Sequence, residues 1–341
     1  MEYYVTTFKI EAVGESFYAN GRHQCKVQIS VLKQAFENGD YVKKPLTESE
    51  ISSIKVAKFS ADTNYDSLGM PTEWTTTDVR DTKYNLGTMS DTRSASVSRR
   101  FLEESGVMFD AFPDAKALSL SADVKDDNNN VPEVFERYVS GSLTGTEKLM
   151  AKMILENETD QTLTTNMSVG ENVYDSSINL TAIPPFSISS SSLDETIQTE
   201  QHQVYDEYKP DITQEINVYF WTLPNNLKIV ERTGSQDSFY ALGTQNGDNS
   251  FLTRGRTFSG GTHDVNARDN MEGGCVQSHA YTVTVADTEL SASALQVDGC
   301  SWTSDTYSGT ATIDIVDNYG SEHKFKVSPS DSGRSLTIAS L

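Results

Sequence analysis

From Cys25 onward the chain alternates: Cys25, Val27, Ile29 and Val31 are apolar, and Lys26, Gln28 and Ser30 between them are polar. A period of two puts one set on a buried face and the other in water, which predicts a half-buried strand. The preceding run, KIEAVGESFYANG, predicts a shorter strand and an Asn20-Gly21 turn, since that dipeptide suits positive φ. After the strand, ENGDYVKKPL predicts another turn and ISSIKVAKF another extended run. Short strands and turns succeeding one another in this way predict a β-sandwich.

The order Ala19-Asn20-Gly21, a few polar residues, an alternating Val/Ile strand and then an Asn-Gly turn resembles the opening of the bacterial immunoglobulin-like repeats of invasin- and intimin-type adhesins, which also recur on phage virion proteins. The resemblance covers about the first 60 residues. It implies an immunoglobulin-like sandwich and a surface-attachment role; the chain departs from that family in showing no clear tandem second copy and no outer-membrane anchor.

Farther along, SDTRSASVSRRFLEESG predicts a short helix capped by Ser98. VFERYVSGSLTGTEKLMAKMILEN predicts two extended segments paired around Gly145. Pro184-Pro185 and the run Ser189 to Ser192 predict a linker over 184–192, because prolines end strands and serines offer little to bury. It divides an N-terminal domain, 1–188, carrying a loop-rich insertion, from a C-terminal β-domain, 193–341. Within the latter, EINVYFWTLP predicts an aromatic strand, and SGTATIDIVDNYGSEHKFKV a hairpin turning at DNYG. Residues 243–275 carry seven glycines and predict long loops. The fold class expected is mainly β: two β-sandwich domains, immunoglobulin-like or jelly-roll-like, with long polar loops and little helix.

Composition sharpens the functional classes. Among 341 residues, 49 acidic against 27 basic give a net charge of −22. Such a field repels phosphate backbones and anionic headgroups, which argues against nucleic acid as a partner. No run approaches the roughly eighteen apolar residues that a membrane-spanning helix needs. The opening MEYYVTTFKIEAVG lacks the basic and apolar regions of a secretory signal, so the expectation is assembly in the cytoplasm, with a final place on a virion or extracellular surface.

Candidate chemistry is sparse. In DVKDDNNNVPE, residues Asp123, Asp126, Asn128 and Asn130 offer oxygens at alternating loop positions, the donor type calcium requires, and are the candidate metal ligands. Val131 stands where a helix–loop–helix calcium loop needs glycine, so a solvated acidic turn is the competing reading. Cys275 and Cys300 each follow glycine and are a candidate disulfide, whereas Cys25 lies on the apolar phase of its strand and reads as a small buried hydrophobe. His263 beside Asp264 is a candidate half-site for acid/base or metal chemistry. No G-x-S-x-G, C-x-x-C, H-E-x-x-H or phosphate loop occurs. Tyr205, Tyr208, Tyr240 and Trp302 are candidate binding aromatics, while Tyr219 and Trp221 share a strand face and read as core. Asn157, Asn166 and Asn179 match the N-glycosylation pattern.

These features favour a non-enzymatic structural protein of a virion or surface, such as a phage tail or capsid spike or fibre. It would be homo-oligomeric and would contact other virion or surface proteins and a host-cell glycan or protein receptor. A bacterial adhesin or secreted toxin subunit is the neighbouring alternative. A glycan-active hydrolase using a carboxylate pair is the alternative from another class.

Overall fold

The computed structural model describes residues 2–61, 67–88, 130–169, 172–206, 209–232, 239–244, 250–258, 260–266, 280–298, 309–330 and 335–341. The chain divides into two compact units, Met1–Pro185 and Phe186–Leu341. Both are built mainly of strands, as the alternation predicts.

The first unit is a sandwich. One sheet runs β1 (Tyr3–Ala12), β3 (Cys25–Glu37), β7 (Glu133–Gly141), β6 (Trp74–Thr77), with β4 (Asp40–Lys43) also on β3. The other runs β2 (Ser16–Tyr18), β12 (Ile178–Ile183), β8 (Gly145–Leu155), β5 (Lys55–Lys58), with β9 (Gln161–Thr164) on β8, while β10 (Ser168–Val169) and β11 (Asn172–Val173) pair as a short ribbon. Reading β1, β3, β7 and β6 as A, B, E and D, and β12, β8 and β5 as G, F and C, reproduces the immunoglobulin-type strand order. The predicted alternation has its cause in the core: Val27, Ile29 and Val31 of β3 join Leu149, Ala151 and Met153 of β8 and Leu180 of β12 in one buried cluster. Each of these side chains larger than alanine contributes about 1.5–3 kcal/mol relative to exposure.

Two turns steer the chain between the layers. Asn20 accepts from the backbone N–H groups of Arg22 and His23, and Gly21 holds φ at 74°. This turn sends β2 to one sheet and β3 to the other. Cys25 is buried and donates through Sγ to the Gly14 carbonyl, as expected for a small hydrophobe with a weak donor. The segments around Gly145 do not pair with each other, contrary to expectation. β7 bonds to β3 and β6, while β8 bonds to β12 and β5, so the Gly141-to-Gly145 connection crosses between layers.

The second unit has a sheet β13 (Asp194–Asp206), β14 (Lys209–Thr222), β20 (Glu289–Asp298), β17 (Ser250–Phe258), β16 (Phe239–Thr244). A second sheet runs β15 (Ile229–Arg232), β21 (Ala311–Asp317), β22 (Glu322–Ser330), β23 (Ser335–Ser340). A ribbon of β18 (Gly261–Asn266) and β19 (Ala280–Val285) adds Val265, Val283 and Val285 to the buried set. The interior strand β14 is buried on both faces, Ile216 and Val218 on one and Tyr219 and Trp221 on the other, which is why Val218 to Trp221 are apolar without alternation. Tyr219 and Trp221 stack with ring centroids 5.7 Å apart, and Trp221 Nε1 donates to Glu195 at 2.7 Å.

The DNYG hairpin forms as predicted, with Ile313 opposite Phe325 and Gly320 at φ 77°. The serine run is ordered: Ser189 caps a single 3-10 turn, Ser190–Ser192, and the Ser190 N–H donates to Ser340 Oγ of β23. Residues 243–275 are not loop alone. β17 and β18 lie within them, because β17 finds ladder partners on both sides, β16 and β20, that glycine content does not reveal.

Candidate recognition surface

The outer face of the first sheet carries an exposed aromatic group. Its cause is the turn between β3 and β4, where Asn38 and Gly39 take φ of 54° and 91° and close a two-residue hairpin with Glu37 opposite Asp40. That register sets Phe36 opposite Tyr41, their ring centroids 5.3 Å apart. Tyr4 of β1 meets Tyr41 edge-on at 6.0 Å. Phe36 is 57% and Tyr41 50% exposed, so the rings pack on each other rather than into the core. Val131 and Val134, just before β7 and at its start, add exposed apolar surface.

Polar groups tie this corner together. Thr6 Oγ1 donates to Gln34 Oε1 at 2.8 Å, and Gln34 Nε2 donates to Asn130 Oδ1 at 2.9 Å. Lys43 Nζ donates to the Val131 carbonyl at 2.8 Å. Tyr4 donates to Glu2 at 2.7 Å, and that bond to a carboxylate pushes the phenol's pKa up. Rigid rings beside amide and hydroxyl groups make a surface suited to protein or glycan contact, since aromatics offer large contact area at low entropic cost.

Two buried polar constellations escape local motif reading. Lys33 lies on the core phase of β3, and its Nζ donates to both oxygens of Glu50 at 2.8 Å. Glu50 also accepts from the backbone of Thr47, within the capping box of α1 (Glu48–Ser53), and from the backbone of Glu156. In the second unit, Asp317 Oδ1 accepts from the backbone of Tyr319 and Ser321, and Oδ2 lies 2.8 Å from His323 Nε2. His323 Nδ1 accepts the Ile188 N–H at 3.3 Å, so the imidazole proton belongs on Nε2. A groove of about 490 Å³ borders this histidine, between Ile188, Lys324 and Ser340. With both ring nitrogens engaged, the dyad holds the turn and the entering strand. The signals for both were in the sequence: a lysine on an apolar phase, Thr47-x-x-Glu50 before Ile51, and an aspartate opening DNYG.

Of the candidate metal ligands, Asp123, Asp126 and Asn128 lie outside the described residues, and Asn130 is engaged by Gln34. Among the described residues no group of three or more His, Cys, Asp or Glu is arranged to hold a metal ion. Cys275, Cys300, Tyr208, Trp302 and the Ser98-capped segment also lie outside the described residues. Tyr205 is on β13 and Tyr240 on β16, the two opposite edges of one five-stranded sheet. Four inter-strand spacings separate those strands, about 19 Å. His263 and Asp264 occupy successive positions of β18, so they point to opposite faces: His263 stacks toward Phe258, and Asp264 accepts from Thr282. Asn157 is tied at both amide atoms to the Tyr3 backbone, and Asn166 donates to the Ser60 carbonyl. Among the described residues no helix is long and apolar enough to cross a membrane.

No family model matches the chain, and no curated protein matches it. Among solved structures, the crystal structure of the collagen-binding domain of the Erysipelothrix rhusiopathiae surface protein RspB aligns at 7% identity over 98% of this chain and 93% of that one, with a TM-score of 0.12. A superposition that poor says nothing about the fold or function of this chain.

Proposed function

We propose that this chain is a non-enzymatic attachment and structural module of a virion or extracellular surface, most concretely a phage tail or capsid spike or fibre component. The observation that carries the reading is the exposed pair Phe36 and Tyr41, with the half-buried Tyr4 edge-on to Tyr41, on a sandwich face and held in place by a tight hairpin. Exposed aromatics in contact with one another mark interaction surfaces, because burying them against a partner recovers the free energy forgone in water. The partner is a host-cell glycan or protein receptor, or another virion protein, and the assembly is homo-oligomeric. A bacterial adhesin or toxin subunit would use the same surface in the same way.

The test is binding of labelled protein to host cells and to a glycan array, comparing the native chain with the Phe36→Ser/Tyr41→Ser double variant. Loss of binding with an unchanged melting temperature supports the reading. Equal binding by both proteins removes this surface from the function. Turnover of a polysaccharide by the native protein, abolished by one Asp or Glu substitution, would replace attachment with hydrolysis.

A further inference from the structure

In this acidic chain Lys26, Lys33 and Lys44, all buried or half-buried, each meet a carboxylate, of Glu136, Glu50 and Glu37, and the half-buried Arg137 and Lys152 donate to the carbonyls of Ile54 and Leu68. Arg232, the last residue of β15, does not. Its Nε and Nη2 are buried without a hydrogen-bond partner. These two N–H groups lie along one edge of the planar guanidinium and form a single parallel fork, the geometry that takes two oxygens of one oxyanion.

The register explains how the side chain came to face inward. Ile229 pairs with Asp317, and the ladder then slips by one residue, so that Glu231 pairs with Val316 and Arg232 with Ile315. An unbroken ladder would set Arg232 against Asp314, an opposite charge on the outer phase of β21. The extra residue, Val230, instead turns Arg232 to the phase of the buried Ile315 and leaves Glu231 on the other. Bulges commonly re-aim one side chain in this way. The consequence is an unpaired cation, half removed from water, whose pKa is pushed down by burial. An uncompensated charge in that position is strongly unfavourable.

We propose that Arg232 is an oxyanion-binding residue, whose Nε–Nη2 edge holds a carboxylate or phosphate group bidentately at the rim of the second unit. β15 is an edge strand and Arg232 is its last residue, so the ligand approaches from the sheet margin. The source is either a free anion or a carboxylate side chain of a second copy. The site is independent of the aromatic surface and stands whether or not that surface binds a receptor.

The experiment is thermal unfolding of the full chain and of Arg232→Met, in chloride and then in inorganic phosphate or acetate at matched ionic strength. In chloride Arg232→Met is expected to melt above the native protein, because an unpaired cation has been replaced by an apolar group. Phosphate or acetate near saturation raises the native melting point by about 5 °C and leaves Arg232→Met unmoved. Arg232→Lys, which keeps the charge but lacks the fork, shows a reduced response; it also serves if the Met variant does not fold. A rise independent of protein concentration identifies a free oxyanion. A melting point that climbs with protein concentration without added anion, in the native chain alone, identifies a second copy's carboxylate. Equal shifts in native and variant proteins mean an adventitious ion only and overturn the assignment. So does an Arg232→Met variant that is less stable in every buffer.

Discussion

Lys33 Nζ sits 2.8 Å from both carboxylate oxygens of Glu50, with the ring centroid of Tyr3 4.2 Å away on another side. The pair is 3% and 0% exposed and joins β3 to α1 across the base of the first unit. Removing either partner strands the other charge in the core, so Lys33→Met or Glu50→Gln should each cost about 3–5 kcal/mol. Lys33→Met with Glu50→Leu should recover much of that loss, although the Thr47 and Glu156 amides lose their acceptor. Urea denaturation of the three variants checks this. A double variant as unstable as the worse single one would show that Glu50 matters mainly as a helix cap.

Asp317 plays the corresponding part in the second unit. It accepts from the amides of Tyr319 and Ser321 and meets His323, all buried. Asp317→Ala leaves three donors without an acceptor and is expected to cost about 3 kcal/mol or more. Hydrogen exchange at the Tyr319 and Ser321 amides should accelerate selectively. Unchanged protection there would mean that the hairpin does not depend on the aspartate.

Acid should weaken the first unit through Glu136. Its hydrogen bond with Lys26 comes first, and with the Tyr138 hydroxyl holds its carboxyl below the ordinary 4.5. A depressed carboxylate contributes stability that is present above the unfolded value and lost as pH falls through the folded one. Stability should therefore decline below about pH 4.5, with a shallower decline in Glu136→Gln. Because Glu136 is partly exposed, the effect is small and weakens in salt. Matching pH profiles for the two proteins would refute the assignment.

At the alkaline end the sign reverses. Burial pushes the hydroxyls of Tyr138 and Tyr174 up to about 12. The folded state then keeps protons that the unfolded chain releases near the ordinary 10.0, so stability falls between those values. A phenolate absorbance titration should show a late-ionising group of tyrosines, reduced by one in Tyr138→Phe. A titration in which all tyrosines ionise together near the ordinary value while the protein stays folded would contradict this.

What the sequence reveals here depends on how local the cause is. The strand at Cys25, the Asn38-Gly39 turn and the DNYG hairpin are legible because side-chain period and turn chemistry act within a few residues. Which sheet a strand joins is not. β7 and β8 look like two arms of one hairpin, and their separation into different layers is decided by partners as distant as β3 and β12. The recognition surface is hidden for a similar reason. Phe36 and Tyr41 are ordinary β-formers until the hairpin register sets them opposite each other on the wet face, and Tyr4 arrives from another strand. Arg232 is harder still, since one slipped residue at Val230 decides whether it faces Asp314 or Ile315. The aromatic run at Tyr219 is the opposite case, because burial on both faces leaves its mark directly in composition.

The short parallel pairing of β2 with β12 has a mechanical consequence. Ser16, Phe17 and Tyr18 lie beside Thr181, Ala182 and Ile183, and the ladder is extended by bonds from the Thr181 N–H to Glu15 and from the Ala19 N–H to Ile183. The first unit is thus closed by strands from near its two ends, running side by side in one direction. Tension applied through those ends slides the strands past each other and loads the bonds together, in shear, instead of opening them one at a time. A module of this kind resists pulling until the whole patch yields, which single-molecule stretching would record as one high-force rupture ahead of the collapse of the sandwich.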